Sequence, residues 1–196
     1  METFVINRQD RPDRLHDIRI ELENQGMNAH HFEAVIDKVG YIGCTRSHLG
    51  IMERCRSNNM FLILEDDCEF LQPKETTDFV IKNALNQLCS DWDALYLGAS
   101  PQEPQERYSN NLFRLRNAKC THAILWHNRP NGALQYILEH KHDIGKIDRY
   151  LYEVIMPKFQ IYATYPMLVT QKQTRSDIAQ RSDCSTILKN YNKYCK

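Results

Sequence analysis

Along this 196-residue chain the spacing of apolar positions switches repeatedly between the strand period of two and the helix period of 3.6. Phe4-Val5-Ile6 is a short apolar run of strand type. After it Leu15, Ile18 and Leu22 recur at helical spacing. The flanking residues predict a helix capped by Asp10, with Pro12 in its first turn, Asp13 three residues after the cap and Gly26 as its stop. A second extended segment is expected over residues 29–35. Gly40 and Gly43 read as flanking a turn, after which Thr45 or Ser47 would cap a helix carrying Leu49, Met52 and Cys55 and ending at Asn58-Asn59. Phe61-Leu62-Ile63-Leu64 then reads as a buried strand.

The alternation continues through a helix over residues 77–88 with Ile81, Leu85 and Leu88 on one face, and a strand over 94–97. Residues 98–111 turn polar, with Pro101 and Pro104 and no apolar period, which marks a functional loop or a disordered one. Extended segments over 112–115 and 121–126 precede a Pro130-initiated helix with Leu134, Ile137 and Leu138. A helix over 147–155 and a strand over 159–163 complete the pattern. Strands alternating with helices predict an α/β fold with a mostly parallel sheet and helices on its faces. The chain length suits one core, which we assign to residues 1–170. Residues 171–196 form a polar tail expected to be poorly ordered unless it folds over a site.

Charge narrows the partners. The 25 basic and 25 acidic residues cancel, so no global field points to nucleic acid or to an anionic membrane. There is no signal-type apolar region, membrane-length segment or lipidation motif, and a soluble, cytosolic protein without a membrane span is expected. The seven cysteines are odd in number and contain no CxxC, which fits free thiols in a reducing compartment.

The chemistry concentrates at Glu65-Asp66-Asp67, directly after the apolar Phe61 strand. In open α/β sheets ligands bind at the carboxyl ends of strands. With strand alternation, Glu65 and Asp67 would share a face and Asp66 would point away. Crowded carboxylates repel, and a hard cation such as Mg²⁺ or Mn²⁺ would offset that cost. An acidic turn pointing into water meets the same pattern. Residues 7–14, where the first strand meets the first helix, bring Arg8, Arg11 and Arg14 to a helix start suited to anions, but no GxGxxG or P-loop is present. Gly43-Cys44-Thr45-Arg46-Ser47-His48 reads as a second loop entering a helix, with His48 as a base, ligand or packing residue. Asp93 and Asp148 are candidate general bases if they face a pocket. Cys44 reads as a structural thiol rather than a nucleophile. His30-His31 would point to opposite faces and take no joint role.

In order, Phe4-Val5-Ile6-Asn7, Arg11-Pro12-Asp13-Arg14, Ile42-Gly43-Cys44-Thr45-Arg46-Ser47-His48-Leu49, Leu62-Ile63-Leu64-Glu65-Asp66-Asp67, Asp91-Trp92-Asp93-Ala94-Leu95-Tyr96-Leu97-Gly98, Thr121-His122-Ala123 and Ile147-Asp148-Arg149-Tyr150-Leu151 resemble the family 25 glycosyltransferases. That family includes lipopolysaccharide and procollagen galactosyltransferases, and the resemblance spans nearly everything up to residue 170. It implies a GT-A-type nucleotide-sugar fold, a UDP-sugar donor and inversion at the anomeric carbon. The hexose implied is galactose, with glucose as the alternative. The acceptor would be a hydroxyl of a glycan, lipid-linked or free, or of a hydroxylated protein side chain. By the resemblance, Glu65-Asp66-Asp67 would hold Mn²⁺ or Mg²⁺ against the UDP diphosphate, with Asp67 and Glu65 as the metal ligands. Asn7, Arg11 and Arg14 would cradle the nucleotide, and His48 and Arg46 would lie near the donor. Inversion calls for a carboxylate base, for which Asp148 is the choice and Asp93 the reserve. Residues 98–111 would close over the donor to exclude water. Two positions depart from the family: Lys146, where proline is common before Ile-Asp, and Cys120, where glycine often precedes Thr-His.

Two other readings compete. A signalling receiver domain would need a phosphoacceptor Asp after a later strand and a Lys-Pro pair, and neither is present. A catalytically degenerate glycosyltransferase-like protein that only binds nucleotide or glycan shares every motif, and the intact acidic triplet argues against it.

Overall fold

In the computed structural model, residues 1–172 and 185–196 are described. The strands are β1 (Glu2–Asn7), β2 (His30–Glu33), β3 (Met60–Glu65), β4 (Cys68–Phe70), β5 (Ala94–Tyr96), β6 (Ser100–Pro101), β7 (Glu106–Ser109), β8 (Leu112–Arg114), β9 (Ala118–Lys119), β10 (Ala123–His127), β11 (Ile161–Thr164) and β12 (Val169–Gln171). The helices are α1 (Pro12–Asn24), α2 (Gly40–Arg54), α3 (Lys74–Gln87), α4 (Ala133–Glu139), α5 (Ile147–Tyr150), which runs through a π turn into α6 (Met156–Lys158), and α7 (Ser185–Tyr194).

Eight strands form one sheet in the order β2-β1-β3-β10-β5-β11-β8-β7. Followed through the ladder, six of the eight run in one direction and β10 and β8 run against them. The period of two explains the layers. Phe4, Ile6, Phe61 and Ile63 pack on one face with Leu49, Ile51 and Met52 of α2 and with Leu134 and Ile137 of α4. Their neighbours Val5, Leu62 and Leu64 pack on the other with Ile18 and Leu22 of α1 and Val80 and Ala84 of α3. Each fully buried Leu, Ile or Phe contributes about 2 kcal/mol of transfer free energy, so strands buried on both faces anchor the sheet.

The chain passes from β1 through α1 to β2 on one side of β1, then through α2 to β3 on its other side. The order therefore reverses at β1, with α1 and α2 on opposite faces, and such a switch opens a crevice beyond the carboxyl ends of the strands.

Several local expectations change. α1 begins at Pro12 with Arg11, not Asp10, at its N-cap and no side-chain cap, and the Asp10 carboxylate is taken by Arg8 at 2.7 Å. α2 starts at Gly40, so residues 43–48 are helix rather than entry loop. Thr45 and Ser47 do not cap it. The Ser47 hydroxyl donates to the Gly43 carbonyl one turn back and accepts the Val35 N–H, both at 2.8 Å. Gly43 is required by proximity, since a Cβ there would lie 2.4 Å from the Val35 carbonyl oxygen. α4 starts after Gly132, later than Pro130. Residues 98–111 hold β6 and β7, and β6 packs against α7. In α7, Ile187 and Tyr191 belong to the same core as the sheet. Residues 173–184, part of the expected polar tail, lie outside the described residues.

Candidate active site

A cleft of about 360 Å³ opens at the switch, lined among others by Asn7, His48, Glu65, Asp66, Asp67 and Asp148. β3 ends at Glu65 and the chain turns through Asp66-Asp67 before β4. All three acids line the same cleft. Glu65 turns to His48 on α2 and Asp66 to Arg14 on α1, so these two neighbours diverge even though both line the cleft.

The three carboxylates are treated differently. Asp66 is the buried one: its Oδ2 accepts the Asn7 amide at 2.8 Å and its Oδ1 accepts Arg14 Nη1 at 3.0 Å. Burial raises its pKa, and Asn7 and Arg14 offset part of that rise. Asn7 and Arg14 thus spend polar atoms on Asp66, tying β1 and α1 to the end of β3. The Asn7 amide also reaches the Arg11 carbonyl at 3.0 Å.

Glu65 Oε1 accepts the Thr121 hydroxyl at 2.6 Å and lies 3.2 Å from Nε2 of the fully buried His48. Burial pushes the Glu65 carboxyl up, but the bond and charge of His48 with the Thr121 hydroxyl more than offset it, and Glu65 stays below the usual carboxylate range. Asp67 accepts the Gln171 amide at 3.2 Å, and its backbone carbonyl accepts the Lys172 N–H at 2.7 Å. β12 is held there by its pairing with β4. Burial, then the charges of Glu65 and Asp66, lift the Asp67 carboxyl to about 7. The corner holds more negative charge than the side chains around Asp67 compensate.

Asp148 enters the cleft from the start of α5. The Thr45 hydroxyl on α2 lies 3.0 Å from the Gly145 carbonyl and accepts the Ile147 N–H at 2.9 Å, fixing this turn against α2. Asp148 Oδ1 accepts the Cys120 N–H at 2.8 Å. Burial raises the Asp148 pKa, opposed by the Cys120 N–H and the Lys146 charge. Cys120 itself has φ 78°, the left-handed region that favours glycine. A glycine would adopt this φ without penalty, whereas Cys120 holds the conformation under strain. Lys119 and Lys146 bring two exposed ammonium groups to the cleft.

Other candidate residues lie elsewhere. Asp93 is fully buried at the amino end of β5, on the edge of the sheet opposite the cleft. Its Oδ1 accepts the Ala133 N–H at 2.8 Å, and its Oδ2 accepts the Gln160 N–H at 2.8 Å and Arg129 Nη2 at 3.0 Å. Arg46 pairs with Asp37 at 2.7 Å on the outer side of α2, and Arg11 pairs with Asp13 at 2.9 Å; neither lines the cleft. Nor does any residue of 98–111, so that segment is not the expected cover over a donor. Sequence reasoning assigned no role to Thr121 or Gln171, which orient Glu65 and Asp67. Thr121 was visible as part of Thr121-His122-Ala123, whereas Gln171 carried no signal.

No protein-family model matches the chain, and no curated protein matches it. Solved structures do resemble it. A glycosyltransferase involved in the glycosylation of the major capsid of PBCV-1 superposes with a TM-score of 0.50 at 10% identity, over 83% of this chain and 80% of that one. A197 from STIV gives 0.48 at 12% identity, over 89% and 87%. A mannose-1-phosphate geranyltransferase from Thermus thermophilus gives 0.47 at 12% identity, over 84% and 59%. The fold is of the GT-A type. Its cleft falls where the β1 switch places it. Among the described residues no helix is long and apolar enough to cross a membrane.

Proposed function

We propose that the protein is an inverting glycosyltransferase of the family 25 kind. It would move a hexose, galactose before glucose, from a UDP-sugar to a hydroxyl of a glycan or a hydroxylated protein side chain in the cytosol. The observation that carries this reading is the uncompensated acidic corner facing Asp148 across one cleft of a GT-A-type fold.

The donor set fits a divalent ion. Glu65 and Asp67 offer hard oxygen ligands, and the Asp67 carboxyl, lifted to about 7, is a group whose charge a cation would stabilise. Mn²⁺ or Mg²⁺ held there would act as a Lewis acid for the leaving diphosphate. Asp66, with Asn7 and Arg14, holds the corner in shape, while His48 and Thr121 orient Glu65. Lys119 and Lys146 supply further positive charge for the diphosphate. Asp148 would take the acceptor hydroxyl proton as the new glycosidic bond forms, a role supported by its raised pKa and by the Cys120 N–H that orients it.

A screen of UDP-sugars for thermal stabilisation and for metal-stimulated hydrolysis tests the assignment. Stabilisation and turnover with UDP-galactose, or more weakly with UDP-glucose, are expected. Stabilisation without turnover on any acceptor would instead support the degenerate binder, and no response to any UDP-sugar would remove the nucleotide-sugar reading.

A further inference from the structure

Next to the acidic corner lies a second set of ligand atoms of different chemistry. Cys44 and His48 are one turn apart on α2, which brings both side chains to one face of that helix. Glu65 stands opposite at the end of β3. The Cys44 sulfur, an imidazole nitrogen of His48 and a Glu65 oxygen all lie within 4.8 Å of one another. A tetrahedral ion with bonds of about 2.0–2.3 Å holds its ligands a little under about 4 Å apart, so side-chain adjustment of about an ångström closes this triangle. All three residues line the cleft.

We propose that Cys44, His48 and Glu65 form a binding site for a borderline-soft dication of the Zn²⁺ class, with its fourth coordination position open to the cleft.

The donor set selects the ion. One sulfur, one imidazole and one carboxylate favour Zn²⁺ over Mg²⁺ or Mn²⁺, which take oxygen ligands. The scaffold is stiff, because Ser47 and Thr45 lock the same turns of α2 to Val35 and Ile147. His48 is fully buried and its Nδ1 has no hydrogen-bond partner among the described residues, so the ring is not committed to a second protein group. The electrostatics point the same way. Burial, then the charges of Glu65, Asp148 and Asp67, push the Cys44 thiol well above its ordinary value. The field that disfavours a bare thiolate favours a dication that brings its own positive charge. The site shares Glu65 and its hydrogen-bond partner His48 with the acidic corner proposed above, and Cys44 is the ligand that belongs to it alone.

The test uses Co²⁺ as a spectroscopic substitute for Zn²⁺ on the metal-free full chain. One equivalent should produce a thiolate-to-cobalt charge-transfer band and the intense visible bands of a tetrahedral ion. Cys44→Ala should abolish the charge-transfer band, Cys120→Ala should keep it, and His48→Gln should weaken Co²⁺ binding about tenfold or more. Absence of the band in the wild-type chain, or its survival in Cys44→Ala, overturns the site. Should Cys44→Ala fail to fold by circular dichroism, alkylation of the wild-type chain decides instead. Zn²⁺ must then protect Cys44 from iodoacetamide, and unprotected Cys44 overturns the proposal. Asp67→Asn separates the two readings: it should lose Mn²⁺-dependent UDP binding while keeping the cobalt spectrum.

Discussion

Two acids at opposite ends of the sheet's strands, the fully buried Asp93 and the half-buried Asp67, have opposite fates. Asp93, at the amino end of β5, has both oxygens filled by two backbone N–H groups and the Arg129 guanidinium. Those bonds fasten the start of α4 and the chain before β11 to the sheet, and nothing about Asp93 faces a ligand. Asp67, at the carboxyl end of β3, accepts one side-chain amide among the described residues and stands against Glu65 and Asp66, with its carboxyl lifted to about 7. The difference teaches that burial alone does not make an acid functional. A satisfied carboxylate is a structural joint, whereas a carboxylate held beside other acids calls for a cation. Both behaviours meet within one turn, since Asn7 and Arg14 satisfy Asp66 beside an Asp67 whose carboxyl stays lifted to about 7.

The contrast breaks most visibly by substitution at the satisfied end. Asp93→Ala should cost about 3–5 kcal/mol of stability, because it strands the Arg129 charge and two N–H groups. Chemical denaturation reads this directly, and a loss below about 1 kcal/mol would deny Asp93 its structural role. At the cleft the loss should fall on chemistry instead. Asp148→Asn keeps an oxygen to accept the Cys120 N–H but cannot take a proton. Transfer should drop about 10²–10⁴-fold with UDP affinity unchanged, as a kcat comparison beside calorimetry would show.

Asp67→Asn sharpens the contrast by reversing its sign. A carboxyl raised from 3.8 to about 7 in the folded chain penalises folding as pH climbs between those values, and the penalty is complete above the upper one. Without metal, Asp67→Asn should therefore stabilise the protein by about 1–2 kcal/mol above pH 7 and by less toward pH 4, as thermal melts across pH would register. A destabilised variant at pH 8 would contradict the uncompensated corner. The smallest effect is expected at Cys120→Gly, which relieves the left-handed backbone at φ 78° for about 0.5–1 kcal/mol, seen as a modest rise in Tm.

What could be read in advance follows from where information is local. The sheet strands other than β7, and the faces of α1 and α2, are legible because period-two and period-3.6 patterns are written residue by residue, as in Phe61-Leu62-Ile63-Leu64 and Ile18-Leu22. The acidic triplet was legible for the same reason. The start of α2 was not, since Gly43 is demanded by its approach to the Val35 carbonyl, a contact between segments that no local rule contains. Asp93 and Asp148 look alike in sequence, because which sheet edge an acid occupies depends on strand direction and order. The period of two separates Glu65, turned to His48 on α2, from Asp66, turned to Arg14 on α1, but it carried no hint that one cleft would take in both. Residues 98–111, polar and proline-bearing like an active-site cover, instead pack β6 against α7.

The central claim is that Glu65-Asp66-Asp67 is a cation-dependent site for a nucleoside diphosphate. Calorimetric titration of UDP into the wild-type chain and into Asp67→Asn, each with and without Mn²⁺, tests it most directly. Binding to the wild type with Mn²⁺, and little in the other three titrations, is expected. Equal UDP binding without Mn²⁺, unaffected by Asp67→Asn, would contradict it.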